Sequence, residues 1–227
     1  MGRHGRLDEA ETLYRESLSV YETTLGGSTP EVAHVLADLG LMLRDMGRLD
    51  EAEVAMRRSL SIYRDRLGSG NVSTMVVANS LGSILEREGR LDEAETLFRE
   101  TLADARGAFS GDHPQVSRLL MSLGWLQLAR GDAVHAEPHL REGLEMLRRM
   151  LPGGDAAVDR AQVSLGQCLV VLQRYHEAEA LLLEAYRRLM RVRGGDEANV
   201  ERARTALIRL YRESGRDMPE DVRPPGR

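Results

Sequence analysis

One heptapeptide constrains this chain more than anything else in it. Gly5-Arg6-Leu7-Asp8-Glu9-Ala10-Glu11 returns unchanged as Gly47 to Glu53 and as Gly89 to Glu95, at intervals of 42 residues. The next interval reaches Gly131 and a degenerate copy ending Ala136-Glu137. The following ones reach Arg174-Tyr175-His176-Glu177-Ala178-Glu179 and Gly215-Arg216. A second glycine, Gly40, recurs in the same register at Gly82, Gly124 and Gly166. No insertion breaks the register. A repeat of this size cannot bury its apolar face alone and must stack on its neighbours, so one architecture is expected throughout.

Each unit reads as two helices. Between Pro30 and Met46 the apolar residues Val32, Val35, Leu36, Leu39, Met42, Leu43 and Met46 follow the spacing of an amphipathic helix. Thr29 and Pro30 mark its start, with Asn71, His113, Asp155 and Glu197 at the equivalent cap positions. Gly47 ends it. Asp50 and Glu51 open a second helix, where carboxylates suit the positive end of the helix dipole. That helix is expected to bury Ala52, Met56, Leu60, Tyr63 and Leu67, and to stop at Gly68. The register supplies core columns. One is Ala10, Ala52, Ala94, Ala136, Ala178; another is Tyr14, Met56, Phe98, Leu140, Leu182; a third is Leu39, Leu81, Leu123, Leu165, Leu207. Cys168 shares a column with Met42, Ile84, Leu126 and Leu210 and reads as a packing residue. Alternating β-branched runs are missing, so the fold class is all-α, a stack of helix pairs about ten helices long.

Composition narrows the chemistry. A net charge of -5 argues against a nucleic-acid partner. All 31 basic residues are arginine, which reads as the codon bias of a GC-rich bacterial genome. Without lysine there is no Schiff base, no pyridoxal-phosphate anchor and no phosphate loop of the Walker type. No apolar run reaches the ~20 residues of a membrane span, and no signal peptide opens the chain. These features point to a cytoplasmic protein without cofactor.

The spacing Leu36-x2-Leu39-Gly40-x2-Leu43 followed by Ala52-x3-Met56 resembles the tetratricopeptide repeat, as does Ala94-x3-Phe98. The period of 42, the Gly111-Asp112-His113-Pro114 turn and the long second helix resemble the kinesin-light-chain subtype. The terminal proline of the family pattern is replaced here by Arg64, Arg106 and Arg148. The resemblance implies a right-handed α-solenoid of antiparallel helix pairs, a non-catalytic scaffold whose concave groove, lined by the first helix of each pair, binds a peptide or protein segment. It also admits a C-terminal regulatory tail of a larger bacterial signalling protein, such as a kinase or ATPase.

In such a groove, non-core positions of the first helices supply the contacts. One column reads His34, Val76, Arg118, Arg160, Arg202. With equivalent helices about 10 Å apart, its three arginines form a ladder suited to acidic groups. A second column contains Asn79, which matches a backbone-contacting asparagine of kinesin light chains. A third contains Trp125, the only tryptophan, expected to anchor an apolar partner side chain. The competing readings are a solvated arginine face paired with nearby glutamates, and a tryptophan packed on its neighbour helix. His135 and His139 share a helix face near Asp132, but Glu137 is wrongly placed for a zinc-protease motif, and His139 reads as a surface residue. Metal sites and catalytic residues are therefore not expected.

The register sets the boundaries. One solenoid covers 1–215, with a half repeat at 5–27, repeats at 28–69, 70–111, 112–153 and 154–195, and a capping helix at 196–215. Residues 216–227 read as a disordered tail. Glycine pairs at 26–27, 153–154 and 194–195 read as turns between repeats. The first helix lacks a partner on one side, leaving Leu7, Tyr14, Leu18 and Tyr21 partly uncovered. Such a strip fits a homodimer through residues 7–25, or a chain that is part of a longer one.

Overall fold

The computed structural model describes residues 3–152, 155–191 and 197–223, with side chains from Glu9 onward. The chain divides into two compact units, one ending at Ser110 and one starting at Gly111. The first holds α1 (Arg3–Leu25), α2 (Pro30–Asp45), α3 (Leu49–Leu67), α4 (Val72–Arg87) and α5 (Leu91–Ala108). The second holds α6 (Pro114–Ala129), α7 (Ala133–Met150), α8 (Ala156–Val171), α9 (Tyr175–Arg191) and α10 (Glu197–Ser214). Among the described residues there is no strand. Even-numbered helices are the first of each pair and odd-numbered helices the second. Within each unit every helix packs on the next, and the first-type helices also touch one another: α2 on α4, α6 on α8, α8 on α10.

The two periodic columns meet at the helix crossings. A Cβ placed on Gly124 would lie 2.6 Å from Leu140 Cγ, and one on Gly166 would lie 2.5 Å from Leu182 Cγ. At Gly40 it would come within 2.9 Å of Met56 Cγ, and at Gly82 it would run into the Phe98 ring. The glycine lets the large residue of the second helix rest directly on the backbone of the first. Ala52, Ala94, Ala136 and Ala178 are fully buried beside these contacts. A hydroxyl completes each unit's packing from opposite sides. Ser59 of α3 donates to the Ala33 carbonyl of α2 at 2.6 Å, whereas Ser117 of α6 donates to the Gly143 carbonyl of α7 at 3.1 Å.

The turns within the pairs are built alike. The Arg48 amide bonds the Leu43 carbonyl while the Gly47 amide bonds that of Arg44, and the same pair of bonds recurs after α4, α6 and α8. The pivot residue has positive φ: Gly47 at 81°, Gly89 at 79°, Gly131 at 81°, and then Gln173 at 59°. Helix starts follow the caps expected from the sequence at three sites. Asn71, His113 and Asp155 each accept a bond from the amide two residues on. Thr29 makes no such bond, and Pro30 alone marks the start of α2. Glu197 is the first residue of α10, and residues 192–196 lie outside the described ones, as do the glycines at 153–154.

The ends depart from expectation in part. Tyr14 and Leu18 are half-buried and Tyr21 is exposed, but the most open large apolar residues of α1 are Leu13 at 63% and Val20 at 57%. Their register equivalents Ala55, Leu97, Ile62 and Met146 are buried, because a first-type helix covers that face in later repeats. Leu67 is also open, lying at the last turn of α3. The tail expected to be disordered is not so through residue 223. It forms a 3-10 turn at Glu220–Val222, with Val222 buried in the same apolar cluster as Leu189 and Tyr211. The Tyr186 hydroxyl donates to the Asp221 carbonyl at 2.9 Å, and Arg187 pairs with the Asp221 carboxylate. One buried valine and two polar contacts thus tie the segment to α9. Residues 224–227 lie outside the described ones.

Candidate functional site

Two sets of arginine in this chain have contrasting surroundings. The arginines of the repeated heptapeptide are consumed by glutamates. Arg48 lies 2.7 Å from Glu51 and 2.5 Å from Glu11 of the preceding copy; Arg90 meets Glu93 and Glu53 in the same way, both at 2.7 Å. Arg15, Arg57 and Arg141 complete alternating clusters with the same carboxylates. Arg174 joins Glu177 and Glu137, and Arg216 joins Glu179. The heptapeptide is therefore an ion-pair ladder between repeats as well as a helix start. Its signal was present in the register: an arginine column flanked by two glutamate columns. Hydrogen bonds from Arg48, Arg90 and Arg174 hold the carboxyls of Glu51, Glu93 and Glu177 below their usual range. At the fourth position the column has Asp132 instead, which caps α7 by accepting from the His135 amide.

The second set lies on the first-type helices of the second unit. Arg118 on α6, Arg160 on α8 and Arg202 on α10 all line one cavity of about 410 Å³. Each is exposed. Among the described residues none of the three has a carboxylate within 4.0 Å. Asp159, next to Arg160 in sequence, is buried and turned toward Arg188, whose Nε lies 2.8 Å from its Oδ1. Burial raises the Asp159 carboxyl, while Arg188 offsets part of that rise. Three guanidiniums at register spacing thus share one apolar-floored space with no anion of their own. The floor includes Met121 and Val163 from the first helices, and Leu147, Met150 and Leu151 from the end of α7. The α7 residues are absent from the groove columns, because they belong to a second-type helix.

Trp125 is half-buried at the edge of this cavity, and the Arg202 guanidinium lies over its ring, 5.7 Å from the centroid. Such a cation–π contact contributes on the order of 1 kcal/mol and fixes the arginine head. The structure thus brings together four of the six residues singled out from sequence: Arg118, Arg160, Arg202 and Trp125. His34 and Asn79 belong to the first unit. His34 is exposed on α2, with its Nε2 3.7 Å from Asp38; Asn79 is half-buried on α4.

The alternative chemistries find other partners. His135 Nδ1 lies 2.7 Å from Asp132 Oδ2. His139, expected at the surface, is half-buried, with Nδ1 2.9 Å from Gln127 Oε1. Among the described residues no group of three His, Cys, Asp or Glu is placed to hold a metal ion. Cys168 is buried, its thiol donates to the Ala133 carbonyl at 3.3 Å, and burial pushes its pKa up to about 11. At neutral pH this is a packed thiol, not a nucleophile. Among the described residues no helix is long and apolar enough to cross a membrane.

A sequence profile of the tetratricopeptide repeat matches residues 3–65 and 73–149, more than half of the chain. A search of curated protein sequences gives no match. Among solved structures, BtubC (BKLC) from P. vanneervenii is similar, with a TM-score of 0.73 at 22% identity over 82% of this chain and 74% of that one. A putative kinesin light chain of Podosopora anserina gives 0.69 at 19% identity, covering 81% and 86%. A Rap protein complexed with Competence and Sporulation Factor gives 0.67 at 17% identity, covering 97% of this chain and 58% of that one. At these identities the likeness concerns the fold.

Proposed function

We propose that this chain, which belongs to the tetratricopeptide repeat family, is a non-catalytic protein-interaction scaffold whose second unit holds an acidic partner segment against Arg118, Arg160 and Arg202. One observation carries the reading: these three arginines converge on one cavity without a carboxylate, while the heptapeptide arginines are paired. A guanidinium forms bidentate bonds to carboxylates and keeps its charge at every cellular pH. A solved complex between a Rap protein and Competence and Sporulation Factor gives a precedent for binding on this fold. Selection of displayed peptides on the intact chain should enrich Asp and Glu. The selected peptides should lose about a hundredfold in affinity for an Arg160→Glu, Arg202→Glu variant, the scale of breaking two desolvated charge pairs. Unchanged affinity would contradict the assignment.

A second reading rests on α1. Leu13, Val20 and Tyr21 expose the face that first-type helices cover elsewhere, which supports self-association through residues 7–25. Sedimentation over a range of concentrations tests it: a concentration-dependent shift to the mass of two chains is expected, reversed by Leu13→Glu, Val20→Glu. A single species of one chain throughout would remove it.

A further inference from the structure

The register runs on past the last repeat. Gly215 has a φ of 67°, in the left-handed region like the other pivots, and Arg216 lies 2.6 Å from Glu179, as the ladder requires. In earlier copies a second-type helix follows. Here Pro219 stands at the position of Glu51, and Glu220 at that of the buried Ala52. Residues 216–223 instead form a strap beside α9 and α10, held by Val222 and Met218 and by the bonds of Asp221 to Tyr186 and Arg187. Ile208 of α10 occupies the column of Gly40, Gly82, Gly124 and Gly166. At those glycines a second-type helix rests on bare backbone: a Cβ on Gly166 would lie 2.5 Å from Leu182 Cγ. An isoleucine there keeps such a helix at a distance.

Helix α1 is the converse case, a second-type helix whose Leu13 and Val20 lie open where a first-type helix packs in later repeats. Gly5 and Gly215 are separated by five whole periods, so α1 of a second copy stands in the register of a helix following Gly215. The charges match as well. Gln162 of α8 donates to Glu184 of α9 at 2.8 Å. One period on, the two positions are Arg204 of α10 and, in the second copy, Glu16. The Arg204 Nε is buried with no hydrogen-bond partner among the described residues, and its ion pair with Glu201 spans 3.8 Å. Glu16 is exposed.

We propose that the α9–α10 end is a seat for α1 of a second copy, and that Ile208 and the strap hold this seat shut. A solenoid end with an uncovered apolar face stacks on the next chain head to tail, and a contact of that kind need not close on itself. Ile208 and the strap are thus a stop on open-ended assembly. The inference goes beyond the self-association reading, which concerns α1 alone, and limits that association to closed pairs.

The test compares the intact chain with a full-length Ile208→Gly, Val222→Asp variant, which clears the glycine column and releases the strap. A fluorescein-labelled peptide of residues 5–25 is titrated against both. The variant should bind it about tenfold more tightly than the intact chain, the scale of uncovering one aliphatic side chain's site. Leu13→Glu or Glu16→Arg in the peptide should remove that gain. In sedimentation the variant should grow past two chains as concentration rises, and the intact chain should not. If the variant loses the helical circular dichroism of the intact chain, Ile208→Ala, Val222→Ala takes its place, with a smaller gain of the same sign expected. Equal peptide affinity for both proteins, a gain that survives both peptide changes, or growth of the intact chain past two would overturn the inference. A variant that grows while the intact chain stays single would support the inference and remove the α1 dimer. An intact chain that pairs, beside a variant that does not grow, would do the reverse.

Discussion

Gln173 occupies a backbone state that the chain elsewhere gives to glycine. Its φ of 59° is in the left-handed region, in register with Gly47, Gly89 and Gly131. That state costs a residue with a Cβ about 1 kcal/mol. Gln173→Gly should therefore raise the denaturant midpoint by about 1 kcal/mol of stability at an unchanged slope; a lower midpoint would show that the glutamine side chain contributes more than its strain removes. The carboxylates of the ladder yield a pH dependence. Hydrogen bonds from Arg48, Arg90 and Arg174 depress Glu51, Glu93 and Glu177 in the folded state. Their contribution is thus fully present above the unfolded value of about 4.3 and is lost as pH falls through the lower folded values. Melting temperature should drop below about pH 4.3, and the drop should be shallower in an Arg48→Gln, Arg90→Gln variant. An equally steep drop would assign the acid sensitivity elsewhere. The positions of these charges were legible in the sequence, because a register of 42 lays them out in columns. Pairings outside the heptapeptide were not. Asp159 adjoins Arg160 in the chain yet faces Arg188, a choice made by which helix lies alongside.

Helices show the same division. Their starts and stops could be read from local chemistry: Pro30 and Pro114 at first positions, three side-chain caps, and glycine pivots after α2, α4 and α6. Helix α7 carries a cost its sequence also shows. Pro138 lies inside it, so the Val134 carbonyl loses its intrahelical donor, and the pyrrolidine ring crowds that turn. Pro138 is exposed, and Ala180 holds its register position in α9. Pro138→Ala should stabilise the chain by about 1–3 kcal/mol in urea unfolding; a loss of stability would mean that the proline ring contributes more than the lost hydrogen bond costs. The tail shows what local chemistry misses. Its charge and prolines read as disorder, but Val222 finds an apolar site beside Leu189 and Tyr211, and that site exists only once α9 and α10 are packed. The uncovered face of α1 was legible for the same reason that its extent was not. The register shows a missing neighbour, while Leu13 and Val20 being more open than Tyr14 depends on how α2 lies against it.

Across the whole molecule, the net charge of -5 conceals a sorting of cations. The heptapeptide arginines neutralise glutamates between repeats, whereas the three arginines of α6, α8 and α10 line a cavity that contains no carboxylate, the basis for the proposed acidic partner. That sorting is the central claim, and charge reversal tests it most directly. A display-selected acidic peptide and its counterpart with every Asp and Glu changed to Lys are titrated against the chain and against Arg160→Glu, Arg202→Glu, at low and physiological salt. The account predicts that the acidic peptide binds only the unaltered chain, the lysine peptide only the variant, and that both affinities fall as salt rises. An acidic peptide that binds both proteins equally, with no gain for the lysine peptide, would contradict it.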